Sequence, residues 1–167
     1  MDATDPTDPP EKPIDPLEGS ELTFLLGMAF QLVLSEFVRR LDVAGYSDLR
    51  PMHGLVFQAL GTTGSTSTEL AEKLSVTKQA AGQIVDDLEE RQYVRRLPHP
   101  AGGRRKLVVL TDKALRHLTV AGTVLRELEE ELNEKLGERG LTMPRAGLAA
   151  VIRTMAGEDL PPLRPLW

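Results

Sequence analysis

A stretch near the middle of the chain concentrates positive charge. Six cationic side chains and no carboxylate occur between positions 91 and 106, namely Arg91, Arg95, Arg96, Arg104, Arg105 and Lys106. Cations grouped in this way can bind the phosphates of a nucleic acid, and arginine can also enter a minor groove, where the negative potential is high. The same run could be only a solvated face, so the elements around it must be considered before a function is inferred.

A second group of side chains, just before this stretch, could read the edges of DNA bases. Its members are polar or basic and share one end of a predicted helix: Thr77, Lys78, Gln79 and Gln83. Glutamine can pair with adenine, lysine can reach guanine, and threonine can contact a phosphate or a thymine methyl group. Thr77 predicts the N-cap of a helix from Lys78 to about Gln92, whose N-terminal end would carry these side chains into a major groove.

A shorter helix is predicted directly before that one. The segment Thr66–Glu69 has the pattern of a capping box and opens a helix that ends near Leu74. Thr66 and Ser67 join the candidate DNA-binding residues because the exposed N–H groups of a helix N-terminus favour phosphate. An earlier helix is predicted over 51–60, with proline at its start and glycines beyond its end.

The basic stretch itself has the pattern of a β-hairpin. Residue types typical of strands occupy 93–97 and 106–110, and a loop rich in proline and glycine separates them. Its candidate DNA-binding residues are two at the base, Arg95 and Arg96, and three at or beside the tip, Arg104, Arg105 and Lys106. The pair at the base could bind phosphates or form ion pairs with the acidic end of the preceding helix. The order of elements is that of a winged helix-turn-helix.

Long helices flank this central unit. One is predicted from Ser20, as N-cap, to about Val43, with apolar residues on more than one face. A second runs from Thr111 to about Leu136, and its apolar residues recur at spacings of four and three: Ala114, Leu118, Ala121, Leu125, Leu128 and Leu132. A last helix opens at Thr142. Its inward residues are Leu148, Val151, Ile152 and Met155. Such stripes are common inside a single chain, but together with the two-faced first helix they favour a helical dimerisation arm.

Charge and composition divide the chain further. The net charge is −5, but the first 21 residues hold seven carboxylates and one lysine, so the remainder carries +1. We predict a disordered, acidic, proline-rich tail over 1–19, a helical dimerisation region over 20–47 and 112–157, a winged helix-turn-helix over 48–111 and a C-terminal tail over 158–167. The predicted fold class is mainly α with a small β-hairpin wing (α+β).

These motifs resemble the multiple antibiotic resistance regulator (MarR) family of transcription regulators. The resemblance covers about Glu21 to Met155 and is most specific in Thr68–Leu74, Thr77–Glu89 and Arg104–Thr111. It implies a homodimer whose two recognition helices enter successive major grooves of a pseudo-palindromic operator. It also implies repression or activation that is relieved by a small, often aromatic, effector bound between the dimer arm and the winged domain.

The sequence departs from the family at two places. Members usually carry aspartates in the wing, one of which steadies the tip arginine, whereas His99 and Gly102 stand at the matching positions here. The usual glycine after the recognition helix is replaced by Gln92.

Other classes of function lack support in the sequence. The absence of cysteine and the scatter of the three histidines argue against a metal site. We find no phosphate-binding glycine loop, catalytic carboxylate pair or activated nucleophile, so we expect neither an enzyme nor a cofactor. The longest apolar run, Leu22–Leu34, is too short to cross a bilayer and no secretory signal is evident, so we expect a cytoplasmic protein without a membrane partner.

The resulting prediction is a sequence-specific transcription regulator, a ligand-responsive repressor that binds double-stranded DNA as a homodimer. The alternative is a winged-helix protein-interaction module without DNA binding. Such a module has no reason to keep base-reading and tip side chains together, as this chain does with Gln79, Gln83, Arg104 and Arg105. No ligand-binding residue is assigned, because the apolar residues that could line a cavity are typical of ordinary core: Met28, Met52 and Phe57.

Overall fold

The computed structural model describes residues 15–161. Within this range the elements are α1 (Leu22–Val43), α2 (Pro51–Leu60), α3 (Ser67–Leu74), α4 (Lys78–Glu90), β1 (Val94–Pro98), β2 (Lys106–Leu110), α5 (Asp112–Gly137) and α6 (Arg145–Ala156). The predicted fold class, mainly α with a small hairpin, is confirmed. The elements from α2 to β2 have the order of a winged helix-turn-helix.

The chain divides into two compact units between Ser35 and Glu36, within α1. The described part of the first unit consists of a turn over 16–19 and the start of α1. In this turn the N–H of Glu18 donates to the carbonyl of Asp15 at 2.9 Å. The end of the tail that was predicted to be disordered is therefore a hydrogen-bonded turn. The rest of that tail, 1–14, and the last part of the predicted C-terminal tail, 162–167, lie outside the described residues.

Helix α1 begins later than the sequence predicted and ends where expected. The hydroxyl of Ser20 donates to the carbonyl of Pro16 at 3.2 Å instead of capping the helix, so its prediction as N-cap is wrong. At the other end, Gly45 has φ 93°, and the N–H of Tyr46 donates to the carbonyl of Leu41 at 3.0 Å. This bond is the one that closes a Schellman motif.

Helix α1 also extends beyond the apolar run Leu22–Leu34. It has 22 residues and contains an 18-residue window of mean hydropathy 1.4, so by length and composition alone it could cross a membrane. The expectation that this segment is too short to do so is therefore wrong, because the helix continues past Leu34. One helix of this kind near the N-terminus is weak evidence for a membrane span.

Side-chain caps fix the starts of α3 and α4. The N–H of Glu69 donates to the hydroxyl of Thr66 at 3.3 Å, and the Glu69 carboxylate accepts from the N–H of Thr66 at 2.7 Å, as the predicted capping box requires. Thr77 caps α4 by accepting from the N–H of Ala80 at 3.1 Å. Ser75 takes a left-handed conformation, with φ 53°, in the turn between α3 and α4.

The hairpin is antiparallel, with Val94 opposite Leu110 and Pro98 opposite Lys106. Ser65, just before α3, adds one further rung to β2. Its N–H donates to the carbonyl of Val108 at 3.0 Å and its carbonyl accepts from the N–H of Val108 at 2.9 Å. The hairpin is thereby joined directly to the helix-turn-helix.

One hydrophobic core holds α2, α3, α4, the hairpin and the start of α5 together in the second unit. Its largest fully buried apolar side chains are Tyr93, Phe57, Leu60, Leu70 and Leu88. Burial of each such side chain contributes about 1.5–3 kcal/mol to folding. A smaller cluster of Leu41, Ala121 and Val124 packs the end of α1 on α5.

The last two helices only partly follow their predictions. Thr111 caps α5 as expected, whereas α6 begins at Arg145 and not at Thr142, because Pro144 has ψ 40°, outside the helical range. No residue of α6, all of which is described, is buried. Its predicted inward residues include Ile152, which is 54% exposed, and Met155, which is 84% exposed. The prediction that these residues face inward is therefore wrong for a single chain.

Candidate nucleic-acid interface

The predicted base-reading side chains lie on the exposed first turns of α4. Thr77, Lys78, Gln79 and Gln83 are all exposed. The hydroxyl of Thr77 is engaged as the helix cap, as described above. Lys78, Gln79 and Gln83 make no side-chain hydrogen bond or ion pair within residues 15–161. Their amide and ammonium groups are available to an external partner.

The start of α3 has fewer side-chain groups available to an external partner. The Thr66 hydroxyl is held by Glu69, whose Oε2 lies 3.0 Å from it. Ser67 is half-buried and its hydroxyl makes no hydrogen bond to other described residues. Of the two candidates at this helix end, only Ser67 keeps a free hydroxyl.

The hairpin tip presents its cations to solvent. Arg104, Arg105 and Lys106 are exposed and form no ion pair within the described part of the chain. The turn that carries them is built by His99, whose Nδ1 accepts from the N–H of Ala101 at 3.1 Å. The backbone of His99 also closes the loop, since its N–H donates to the Arg105 carbonyl at 3.2 Å. A histidine thus organises the wing where the related family usually has aspartate.

At the hairpin base the two arginines differ. Arg95 is exposed, whereas Arg96 pairs with Asp86, at 2.5 Å, and with Glu89. Burial lowers the pKa of Arg96, but these two carboxylates raise it by more, so the net pKa is raised. Of the two roles predicted for Arg96, the structure has the ion pair with the acidic end of α4. Its assignment as a DNA-binding residue stays a prediction.

The acidic end of α4 is compensated a second time. Arg91 pairs with Asp87 at 2.9 Å, and this hydrogen bond holds the pKa of the Asp87 carboxyl below its usual range. Three of the four carboxylates of α4 are therefore paired with neighbouring arginines, whereas Lys78 in its first turn and the cations at the hairpin tip form no ion pair within the described residues. The local excess of positive charge lies at the exposed end of α4 and at the wing tip.

A polar cluster behind α4 was missed by the sequence analysis. Asp48 accepts from the hydroxyl of Tyr93 at 2.9 Å and from Lys113 Nζ at 3.4 Å, and its carbonyl accepts from Arg91 at 2.7 Å. Burial raises the pKa of Tyr93, and the hydrogen bond to Asp48 raises it further. These partners are 43 to 65 residues from Asp48 in sequence, so no local pattern could have revealed them.

A mostly apolar cavity of about 280 Å³ lies in the second unit between the end of α1, the segment before α2, α2 itself and α5. Its wall includes Tyr46, Leu49, Arg50, Gly54, His117 and Gly122. Phe57 and Met52, which the sequence offered as possible lining residues, do not line it.

His117 is the notable polar residue of this wall. It is 4% exposed, and its Nδ1 has no hydrogen-bond partner within the described chain. The rings of Tyr46, Phe57 and Tyr93 surround it edge-on, with centroids 4.7, 5.7 and 6.2 Å away. Burial lowers the pKa of His117, so the imidazole is neutral at pH 7. No group of residues in the described chain is arranged to hold a metal ion.

Residues 47–105 match the MarR family model. The matched segment runs from just before α2 to the tip of the hairpin. In the terms of that family, α4 is the recognition helix and the hairpin is the wing. No curated protein matches the chain.

Solved structures of MarR-type regulators share the fold. The transcriptional repressor CouR bound to a 23-mer DNA duplex is 24% identical, with a TM-score of 0.62 over 84% of this chain and 96% of that one. CouR from Rhodococcus jostii RHA1 bound to p-coumaroyl-CoA is 20% identical, with a TM-score of 0.61 over 84% and 94%. BpsR from Bordetella bronchiseptica, whose DNA binding is regulated by 6-hydroxynicotinic acid, is 18% identical, with a TM-score of 0.61 over 84% and 96%.

Proposed function

We propose that this chain is a cytoplasmic transcription regulator that binds a pseudo-palindromic DNA operator as a homodimer and releases it when a small effector occupies the cavity, which makes it a ligand-responsive repressor. The observation that carries the proposal is the separation of charge along α4 and the wing. Three of the four carboxylates of α4 are paired with arginines, whereas the base-reading and tip side chains are exposed and form no ion pair among the described residues.

Each part of this surface has a distinct role in the proposal. Lys78, Gln79 and Gln83 read base edges in the major groove, because they lie on the first turns of the recognition helix. Arg104 and Arg105 enter the neighbouring minor groove, and Lys106 and Arg95 bind phosphates. Arg96 supports the recognition helix from behind and touches no DNA.

A second copy of the chain is the proposed cover for the exposed apolar helices. In α1 the apolar residues that are about half exposed or more include Leu22, Phe24, Phe30 and Leu32. In α6, Ile152 and Met155 are exposed to a similar or greater degree. Exposed apolar area of this extent marks an interaction surface. Dimerisation would remove these apolar faces from water, so we favour it over a membrane span for α1.

The cavity is the proposed effector site. Its apolar walls suit a flat, apolar body, Arg50 is an exposed cation at its edge, and the neutral His117 offers a hydrogen bond from the wall. The compound that regulates DNA binding of BpsR, 6-hydroxynicotinic acid, and the p-coumaroyl-CoA bound by CouR both combine a ring with acidic or polar groups. They are the first compounds to test.

The DNA part of the proposal is tested by selecting bound sequences from a random duplex library and titrating the best one with salt. We expect a palindromic site whose half-sites are about 10 bp apart. Arg104→Ala should lower the salt slope by about one unit, and Gln79→Ala should cost about 1–3 kcal/mol at one position of each half-site. Arg139→Ala, which removes an exposed arginine outside the winged segment, is the matched control and should leave both unchanged.

The other parts have their own measurements. Sedimentation should give a dimer, and a charged substitution such as Ile152→Glu should shift it to a monomer. A compound that weakens DNA binding of the wild type but not of His117→Phe would support the effector site. If no duplex binds above background at low salt, the chain is a winged-helix interaction module instead, and the search moves to protein partners.

A further inference from the structure

One short segment touches both the cavity and the recognition helix. Tyr46–Arg50 connects α1 to α2, and its residues Tyr46, Leu49 and Arg50 line the cavity. Asp48, between them, does not line it and bonds instead to residues at the C-terminal end of α4 and beyond. Within these five consecutive residues, some therefore face the cavity and Asp48 faces the end of α4.

The bonds on the α4 side are several and mutually supporting. Arg91, the C-cap of α4, donates to the Asp48 carbonyl at 2.7 Å, and the Tyr93 hydroxyl donates to the Asp48 carboxylate at 2.9 Å. Lys113 lies 4.0 Å from the centre of the Tyr93 ring and donates to the Arg91 carbonyl at 2.9 Å. Displacement of Asp48 must therefore move the end of α4 or break these bonds.

A second connection leaves the segment at Arg50. The N–H of Arg50 donates to Nδ1 of His53 at 3.1 Å, which places the His53 proton on Nε2. That nitrogen lies 3.6 Å from Asp87 on α4, and Asp87 pairs with Arg91. Asp48 in the middle of the segment and Arg50 at its end therefore both connect to the last turn of the recognition helix.

The cavity side is equally specific. Tyr46 packs edge-on against His117 with their ring centres 4.7 Å apart. A packed core does not deform continuously but switches between discrete arrangements. An occupant that displaces Tyr46 or Leu49 by a fraction of an ångström would therefore shift the segment as a unit. The segment therefore contributes to the cavity wall through Tyr46 and Leu49 and is hydrogen-bonded to the end of α4 through Asp48.

We propose that Tyr46–Arg50 is the coupling segment of this regulator: filling the cavity shifts it, and the Asp48–Tyr93 and Asp48–Arg91 bonds transmit the shift to the C-terminal end of the recognition helix. This inference rests on the proposed function and adds the path by which the effector site acts on DNA affinity. Such coupling makes two named hydrogen bonds necessary for the response and unnecessary for DNA binding itself.

The test uses the protein itself to fill the cavity, so that no effector has to be known. Gly122 on α5 and Gly54 on α2 both line the cavity, and a Cβ added at either meets nothing within 4 Å. Gly122→Leu and Gly54→Leu are the fillers, and Gly122→Ala and Gly54→Ala are their controls for helix propensity. Each is combined with Tyr93→Phe, which removes only the hydroxyl that bonds Asp48, and separately with Asp48→Asn.

The readout is the Kd for the selected duplex, with sedimentation and thermal unfolding to verify that each variant is folded and dimeric. We expect each filler to raise Kd at least about fivefold over its alanine control, and the effect to fall below about twofold in the Tyr93→Phe and Asp48→Asn backgrounds. An equal effect in all backgrounds, or no effect in any, would overturn the coupling segment. Failure of the proposed function is separate, because it would appear as a wild-type protein that binds no duplex.

Discussion

The hydroxyl of Thr111 donates a 2.7 Å hydrogen bond to the carbonyl of Gln92, and the same oxygen accepts from the N–H of Ala114. One side chain thus caps α5 and holds the turn between α4 and β1. Gln92 needs this support because it lies in the left-handed region, with φ 65°, where side chains with a Cβ are strained.

Thr111→Val should destabilise the protein by about 1–2 kcal/mol, because it removes the cap and leaves the Gln92 carbonyl without its partner. The measurement is the free energy of unfolding in urea. Thr142→Val is the control, since Thr142 is exposed and caps no helix. Equal losses in the two variants would contradict the role assigned to Thr111.

Gln92→Gly should stabilise the protein by about 1 kcal/mol, because glycine adopts positive φ without strain. Gln92→Ala keeps the strain and should be close to the wild type, since the Gln92 side chain is exposed. The two variants differ only at this Cβ, so thermal unfolding of the pair isolates the backbone effect. A glycine variant no more stable than the alanine variant would show that the turn carries no strain.

Gly64→Ala should be far more harmful than Gly61→Ala. Both glycines have positive φ, but a Cβ at Gly64 would lie 2.5 Å from the Val108 carbonyl, whereas one at Gly61 meets only an oxygen at 3.9 Å. We expect about 1 kcal/mol of lost stability at Gly61 from the backbone alone and at least about 3 kcal/mol at Gly64. Similar losses at the two positions would rule out the close approach at Gly64.

Stability should decline as the pH falls from about 7 to 5. Burial lowers the pKa of His53 and of His117 below the ordinary value of 6.5, so the folded chain keeps both neutral while the unfolded chain takes up protons. The unfolding free energy should drop by at most about 1.4 kcal/mol per pH unit for each histidine, beginning near pH 6.5. His117→Phe should reduce the slope, and an unchanged slope would show that His117 is protonated freely in the folded state.

Much of this structure follows from local sequence. Thr66, Thr77 and Thr111 cap the helices they were expected to cap, because a capping bond joins residues three apart and can be read directly. The strand at 106–110 has its predicted bounds for a similar reason, since a short run of apolar residues follows a glycine-rich loop.

The errors fall where the deciding contacts are distant or outside the chain. Pairing of Arg96 with Asp86 was one of two open roles, and only the three-dimensional structure selects it. Neither the approach of Asp48 to Tyr93 nor the cavity beside His117 leaves any periodic trace in the sequence. The apolar stripe of α6 could be predicted from residue spacing, but the surface that covers it could not, because that surface is not encoded in local spacing.

The two hydrogen bonds between Ser65 and Val108 have a mechanical consequence. They fasten the start of α3 to the middle of the wing, so the hairpin cannot swing on its own without stretching them. They limit the movement of the hairpin relative to α3 and α4. In the proposed dimer, operators whose half-sites differ in spacing would therefore have to be matched by movement of whole winged domains and not by bending of the hairpin.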